Sequence, residues 1–256
     1  MPTIIDLTKP IQYNANDPFY MRVKIKHKPH RKAGFLLKWF IKLPKKLFPP
    51  GFIGWADDTI KQLGVHSTTH IDAPWHYSPT VNGERAKTID EIPLDWCYGD
   101  GCVLDFTHKL DNEVITAAEV QKALKTIDIN LKPGMIVLIR TDNDQYMGTK
   151  DFPDKGTGMG AEATEWLIDQ GIKVMGIDQW GWDLPLRYQA QLARETNDQH
   201  LFWEGHLVGA RKEYCHMEQL TNLKSLPSSG FKVCVFPMKI VGGSAAPIRA
   251  VAILDE

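Results

Sequence analysis

Short runs rich in apolar and β-branched residues recur along the chain, and turn-forming or charged residues separate them. Runs of this length and composition predict strands with at least one buried face. The strands predicted in this way are Thr3–Leu7, Cys102–Phe106, Met135–Arg140, Lys173–Ile177, Lys232–Phe236 and Arg249–Leu254.

Two stretches have helical signals instead. Thr116 and Glu119 form a capping-box pattern that opens a helix reaching about Lys125. A second helix is predicted from about Ala161 to Gln170, with Gly171 as its stop. A strand follows each helix, which predicts a mixed α/β domain. The closing strands have no clear helix between them, so they add an antiparallel element.

Charge is distributed unevenly, although the 256 residues have a formal net charge of only -1. The stretch from Pro18 to Ala56 contains no Asp or Glu and many Lys and Arg residues. We expect a single domain over residues 1–256, with a basic insertion or lid at about 20–52. This segment could also be an oligomer contact, a membrane-surface helix, or an insertion that packs on its own subunit or on a neighbour. Its prolines limit any helix, which weakens the membrane alternative.

Several classes of protein are disfavoured by what the sequence lacks. There is no nucleic-acid recognition motif around the basic stretch. The four cysteines form no CxxC pair and are too sparse for a disulfide framework. The start of the sequence does not have the pattern of a signal peptide, and the apolar runs are far below the roughly 18 residues that span a bilayer. We therefore predict a cytoplasmic protein without stable membrane insertion.

The segment from His66 to His76 carries the strongest chemical signal. His66, His70, Asp72 and His76 all occupy even positions, so on an extended chain they project to one side. β-Branched residues within the segment disfavour a helix, and Pro74 excludes a helix interior. An extended conformation is therefore predicted.

Three imidazoles and one carboxylate on one side are typical of a first-row metal site, and they suit Zn²⁺ or Mn²⁺. The alternative, a group of surface histidines beside a structural aspartate, is less consistent with such dense and regular spacing. On chemistry alone, His76 could be a fourth ligand or a free base.

The same segment resembles the metal-binding signature of the cyclase-like metal-dependent hydrolases, the family of bacterial kynurenine formamidases and isatin hydrolases. That signature is a His, three residues, a second His, then Asp-Ala-Pro and a further His. Later segments that resemble the family, in the same order, are Leu138–Thr141, Ala161–Leu167, Gly176–Asp178, His206, Glu218–Leu223 and Gly243–Ala250. The chain departs from the family at Asp142, where a glycine is common, and at Gly181, where a serine is common.

The resemblance implies a swivelling β/β/α fold, a homodimer or homotetramer, and a role for each matching residue. His66, His70 and Asp72 would bind a first Zn²⁺ or Mn²⁺ ion. Asp72 would bridge to a second ion, if one binds, with His206 and Glu218 as its other ligands. His76 would be the general base. His216 lies two residues before Glu218 and could compete as a ligand.

These roles predict hydrolysis of a small molecule at a non-peptide C–N bond of a formamide, lactam or cyclic amide. A bound divalent cation lowers the pKa of its water to about 7, and His76 could move the proton to the departing nitrogen. The alternative on the same scaffold is a non-hydrolytic cyclase or dehydratase. A binding module that retains the site without turnover is disfavoured, because a binder has no evident need for an unligated base.

Tryptophans close to the predicted site suggest what the substrate looks like. Trp75 lies inside the signature, Trp180 and Trp182 follow a strand end, and Trp203 precedes His206 by three residues. We predict substrate contacts for Trp75, Trp180 and Trp203, which would favour an aromatic or otherwise flat apolar substrate.

Overall fold

The computed structural model describes residues 2–254, which form short strands and helices. The strands are β1 Thr3–Asp6, β2 Lys24–Lys28, β3 Asp57–Gln62, β4 His70–Asp72, β5 Thr80–Val81, β6 Glu84–Arg85, β7 Tyr98–Asp105, β8 Val114–Ile115, β9 Ile136–Arg140, β10 Gly158–Met159, β11 Val174–Ile177, β12 Cys215–Glu218, β13 Phe231–Cys234, β14 Ala245–Pro247 and β15 Val251–Leu254. The α-helices are α1 His30–Trp39, α2 Pro74–Tyr77, α3 Ala117–Thr126, α4 Ala161–Asp169, α5 Leu186–Thr196 and α6 Glu204–Leu207.

A nine-stranded sheet has the order β1-β15-β13-β7-β9-β11-β12-β4-β14. Its central strands β7, β9, β11 and β12 run parallel to one another. The strands outside them pair in antiparallel fashion on both sides. The predicted mixed α/β fold, with an antiparallel element formed by the closing strands, is confirmed.

The core lies on both faces of this sheet because alternate residues of its central strands point in opposite directions. Ile136 and Leu138 of β9 belong to one apolar cluster, which also contains Met217 of β12. Val137 and Ile139 belong to a second cluster, which includes buried residues of α3 and α4. Both faces of β9 are therefore buried, as its continuous apolar run predicts.

The two predicted helices are present, and their end signals act as expected. Thr116 accepts a hydrogen bond from the backbone N–H of Glu119, and the Glu119 side chain accepts one in return from the backbone N–H of Thr116. α4 is followed by Gly171, which has a φ of +86°. The six predicted strands also form, with ends shifted by a few residues; the largest shift is at β7, which begins at Tyr98.

Residues 11–64 form a compact unit of their own, and residues before and after them form the other unit. Within residues 11–64, β2 and β3 pair in antiparallel fashion beside α1. Gly54 has a φ of +123°, and a Cβ there would lie 2.2 Å from the carbonyl oxygen of His30, so only glycine fits. The unit is basic, and Phe35, Trp39 and Phe40 are exposed. Its role as a lid or an oligomer contact stays a prediction.

Among the described residues, no helix has the length and apolar character that crossing a bilayer requires.

The prediction of a fully extended segment from His66 to His76 is wrong at both ends. Only His70–Asp72 is a strand, His66 lies in the turn before it, and His76 lies in helix α2. Pro74 does not prevent this helix, because it occupies the first helical turn, where its missing N–H needs no partner.

Candidate metal centre

Two adjacent strands carry four of the candidate ligands. β4 pairs with β12 in antiparallel fashion, and Glu218 lies opposite His70. Because side chains alternate along a strand, His70 and Asp72 share one face with His216 and Glu218. All four residues are buried.

Three further histidines approach the same carboxylate from outside these strands. Nε2 of His66 lies 3.2 Å from Oδ1 of Asp72. Nε2 of His76 lies 3.8 Å from Oδ2 of Asp72, and Nε2 of His206, on α6, lies 3.9 Å from it. The structure therefore brings all the predicted ligands and the predicted base together, although they come from different elements.

Asp72 divides the cluster into two sides. Nε2 of His70 lies 3.3 Å from Oδ1 of Asp72 and 3.5 Å from Oε2 of Glu218, so it joins His66 on the Oδ1 side. On the Oδ2 side, Nε2 of His216 lies 3.2 Å from Asp72 Oδ2 and 3.3 Å from Glu218 Oε1. One carboxylate is thus placed between two sets of nitrogen donors.

The unsatisfied polar atoms of this cluster fit a metal. Nε2 of His66, His70 and His216 and both carboxylate oxygens of Asp72 are buried, and none has a hydrogen-bond partner among the described residues. Buried polar atoms in native proteins are normally paired, and the unpaired ones here face one another. Two groups within this cluster have ligand atoms within 4.8 Å of one another: Asp72 with His206, His216 and Glu218, and Asp72 with His66 and His76. The donor set suits Zn²⁺ or Mn²⁺.

Asp183 holds His206 in place. Its Oδ2 accepts hydrogen bonds from the ring Nδ1 and from the backbone N–H of His206, and its Oδ1 accepts from the backbone N–H of Gly205 at 2.5 Å. In a neutral ring, a carboxylate that accepts Nδ1–H selects the tautomer whose lone pair is on Nε2, and this atom faces Asp72 and Glu218. Metal-binding histidines commonly have such a partner.

Electrostatic effects are large at this site. Burial is the largest single effect on His70 and disfavours a charged ring, but the carboxylates of Asp72 and Glu218 together outweigh it and raise the pKa of His70 to about 10. Burial would raise the pKa of Glu218, yet contacts with His216 and His70 hold it well below its ordinary value. At His76 burial prevails and lowers the pKa to about 4, so that ring is neutral at neutral pH.

The tryptophans lie in different surroundings. The ring of Trp203 stacks on His206 with centroids 4.4 Å apart, and it meets the His76 ring edge-on at 5.3 Å. Its backbone has a φ of +61°, unusual for a bulky residue and frequent at functional sites. Trp180 packs edge-on against Phe152, and Trp75 is 40% exposed. Substrate contacts of these tryptophans stay predictions.

Asp142, Asp144 and Asp178 form a separate acidic group. Asp178 is occupied by three hydrogen bonds, from the backbone N–H and hydroxyl of Thr141 and the backbone N–H of Asp142. Asp144 accepts from the backbone N–H of Asn222. These bonds give the group a structural explanation.

The sequence indicates one residue of the centre, His216, only weakly, and it does not indicate a second one, Asp183. His216 has the same parity as Glu218 on a buried strand, a signal that was present but weak without the strand pairing. Asp183 had no signal of its own, because its partner His206 is 23 positions away along the chain.

The mixed α/β sheet brings a buried cluster of histidines and carboxylates together at one strand pair. This fold and this set of donor atoms define the class of protein, an enzyme with a metal site. The family model described as "Putative cyclase" matches residues 5–184. The chain therefore belongs to the Cyclase family.

The similar proteins are distant in sequence, but the matches cover most of the chain. The isatin hydrolase of Roseibium aggregatum is 25% identical over 203 residues, which are 76% of this chain and 73% of that protein. The kynurenine formamidase of Salinibacter ruber is 24% identical over 196 residues, 74% of this chain and 76% of that protein. A crystal structure of an isatin hydrolase bound to the product analogue thioisatinate has a TM-score of 0.76 at 22% identity, over 100% of this chain and 93% of that one. The resemblance to the cyclase-like hydrolases is confirmed.

Proposed function

We propose that this protein is a metal-dependent hydrolase that opens a non-peptide C–N bond in a small molecule. The observation that carries the proposal is the convergence of unpaired, buried imidazole and carboxylate atoms around Asp72, with Nε2 of His76 3.8 Å from its Oδ2. The relatives support the same chemistry, since two of them are named for hydrolysis of isatin and of a formamide of kynurenine.

The proposed ligands follow the two sides of Asp72. His66, His70 and Asp72 would hold a first Zn²⁺ or Mn²⁺ ion, and Asp72, His206 and Glu218 would hold a second. A divalent cation bound there supplies a Lewis acid and makes water a nucleophile at neutral pH. The fixed positions of the buried side chains keep this arrangement preorganised before substrate arrives.

His76 is proposed as the general base and acid. Its ring is close to Asp72, and 23% of its side chain remains exposed. A neutral imidazole at this position can take the proton that water loses as its oxygen bonds to the carbonyl carbon. It can then give that proton to the nitrogen as the C–N bond breaks, which leaves a carboxylic acid and an amine.

Trp203 would form one wall of the substrate site, because its ring lies beside both His76 and His206. A flat aromatic ring can stack there or meet the indole edge-on. The proposed substrates are therefore aryl formamides, lactams of the isatin type and cyclic amides. Trp75 and Trp180 are proposed as more peripheral contacts.

The test is turnover on these substrate classes, followed by proton release, with Zn²⁺ or Mn²⁺ added. His76→Ala should abolish turnover and keep bound metal, whereas Asp72→Ala should lose both. His108→Ala, which changes a histidine next to Phe106, is the matched control and should keep both. Bound metal without turnover on any substrate, and metal affinity unaltered in His76→Ala, would favour a binding protein.

A non-hydrolytic cyclase or dehydratase is the second candidate. Reaction in ¹⁸O-labelled water separates the two, since hydrolysis places the label in the carboxylate product and cyclisation does not.

The predicted homodimer or homotetramer and the cytoplasmic setting remain part of the proposal. The four cysteines are free thiols, which is consistent with a reducing compartment. Mass measurement in solution tests the oligomer, and localisation of the tagged chain tests the compartment.

A further inference from the structure

His216 packs among aromatic rings in the interior of the protein. It is fully buried on β12. The ring of Trp182 stacks on it with centroids 5.0 Å apart at 10°, and the ring of Tyr77 stacks on it at 5.0 Å and 25°. The polar interactions of this side chain are therefore those of its two ring nitrogens, Nδ1 and Nε2.

The hydrogen bonds around Nδ1 determine which nitrogen carries the proton. Nδ1 lies 3.2 Å from the hydroxyl oxygens of Tyr77 and Tyr214. The Tyr214 hydroxyl donates its proton to the carbonyl of Gly205 at 3.0 Å, so its oxygen is free to accept from Nδ1–H. The Tyr77 oxygen accepts from the backbone N–H of His216, and its own O–H donates to the backbone carbonyl of Asp72 at 3.5 Å, so its proton is not needed at Nδ1. This arrangement favours the tautomer with the proton on Nδ1.

In that tautomer, Nε2 presents a lone pair to two carboxylate oxygens. It lies 3.2 Å from Asp72 Oδ2 and 3.3 Å from Glu218 Oε1, yet it forms no hydrogen bond of acceptable geometry with a described residue. A lone pair that faces two carboxylates is repelled unless a cation lies between them.

The spacing of the donor atoms suits one small cation. A tetrahedron with metal–ligand distances of about 2.0–2.1 Å has edges of about 3.3–3.4 Å. The His216 distances to the two oxygens match that edge. Nε2 of His206 is slightly farther, at 3.6 Å from Glu218 Oε1 and 3.9 Å from Asp72 Oδ2.

We propose that His216 is a metal ligand, and that with Asp72, His206 and Glu218 it completes a buried four-ligand position on the Oδ2 side of Asp72. This inference rests on the proposed function, because it assumes that the cluster binds divalent cations. Structural zinc sites are closed by four protein ligands, whereas catalytic sites keep one position open. The Oδ2 position is closed, and the Oδ1 position borders His66, whose side chain is 26% exposed. The two positions therefore differ in how readily they exchange their ions.

The competing explanation is a structural imidazolium. In that case His216 carries a second proton on Nε2 and neutralises Asp72 and Glu218 without any metal. Removing the ring would then lower stability but leave the number and affinity of bound ions unchanged.

The experiment measures metal binding rather than activity. The wild-type protein is loaded with Zn²⁺, dialysed against a mild chelator and analysed for retained metal. The dissociation constant is measured by chelator competition, and Co²⁺ is bound for visible spectroscopy, because four-coordinate Co²⁺ absorbs much more strongly than six-coordinate Co²⁺.

We expect wild type to retain one chelator-resistant equivalent with the intense four-coordinate spectrum. His216→Ala should lose that equivalent, weaken its binding by at least about 100-fold and lose the intense bands. Met217→Ala removes a buried side chain from the same strand on its other face, so it should lose stability without losing this equivalent. If His216→Ala does not fold, His216→Gln, which keeps more of the volume, is measured in its place.

The outcomes separate this inference from the proposed function. Metal stoichiometry, affinity and Co²⁺ spectrum unchanged in a folded His216 variant would overturn the assignment of His216 while leaving the hydrolase proposal intact. A wild-type protein that binds no divalent cation would overturn both.

Discussion

Asp183→Asn should weaken metal binding although Asp183 is not a proposed ligand. The carboxylate has two oxygens with separate tasks. Oδ1 accepts from the backbone N–H of Gly205, and Oδ2 accepts from the backbone N–H and the ring Nδ1 of His206. Both oxygens of Asp183 therefore accept hydrogen bonds from N–H donors only. Asp183 and His206 are both buried.

The side-chain amide of an asparagine cannot replace the hydrogen bonds of both carboxylate oxygens in either of its two orientations. If its NH₂ group faces Nδ1, the imidazole must accept there and carry its proton on Nε2, which blocks the lone pair needed for a metal. If the amide is turned, its NH₂ group faces the backbone N–H of Gly205, so two donors oppose each other. Loss of such a partner costs about 10–100-fold in metal affinity, or about 1.4–2.7 kcal/mol.

The assay is chelator competition for Zn²⁺ on metal-free protein, with circular dichroism to confirm folding. Asp58→Asn is the matched control, because Asp58 also contacts a histidine, His27, at 3.1 Å, but on side chains that are 53% and 73% exposed. We expect the control to bind like wild type. A folded Asp183→Asn protein whose dissociation constant stays within about twofold of wild type would refute the role of Asp183.

Three further predictions follow from packing and burial. Gly209→Ala should cost about 1–3 kcal/mol and lower Tm, because the new Cβ would lie 2.2 Å from Cδ2 of Tyr77; an unchanged Tm would contradict this. Burial raises the pKa of three thiols, those of Cys97 and Cys102 to about 12 and that of Cys215 well above its usual value. Since a raised pKa keeps these thiols protonated at pH 8, mass spectrometry of native protein treated with iodoacetamide should find label only at Cys234, which is partly exposed; label at a buried cysteine before unfolding would disprove it. Trp203→Leu should raise KM for an aromatic substrate by about 2–10-fold, and equal KM values in variant and wild type would argue against a substrate wall at this ring.

The sequence predicted those helices and strands whose signals lie within a few residues of the element itself. The Thr116 cap, the Gly171 stop and the apolar run of β9 each act within a few residues, and each is present as expected. Pro74 shows the limit of this reasoning, since proline excludes a helix interior but favours the first turn. Helix α5 was not predicted; its one buried residue is the polar Gln189, so it has no fully buried apolar position.

The candidate site was predictable where the ligands are close in sequence. His66, His70, Asp72 and His76 were found by spacing, while His206 and Glu218 needed the family resemblance. The position of His216 became clear only from the pairing of β12 with β4, which joins segments about 145 residues apart and leaves no local trace.

The family difference at Asp142 has a backbone explanation. Asp142 has a φ of +58°, in the left-handed region that glycine adopts without strain and that aspartate tolerates better than most residues. Its backbone N–H donates to Asp178. Aspartate at this position therefore adopts the same left-handed turn that a glycine would form.

The pairing of β4 with β12 has a consequence for when the protein can acquire its metal. His66, His70 and Asp72 leave the ribosome early, but Glu218 and the strand that carries it follow well over a hundred residues later. Contacts between such distant segments form late, because the intervening chain must first be ordered. A nascent chain can therefore offer a cation only part of its ligands, and complete loading must wait until synthesis has passed β12. An ion bound there then ties the two segments together, and it should slow their separation on unfolding.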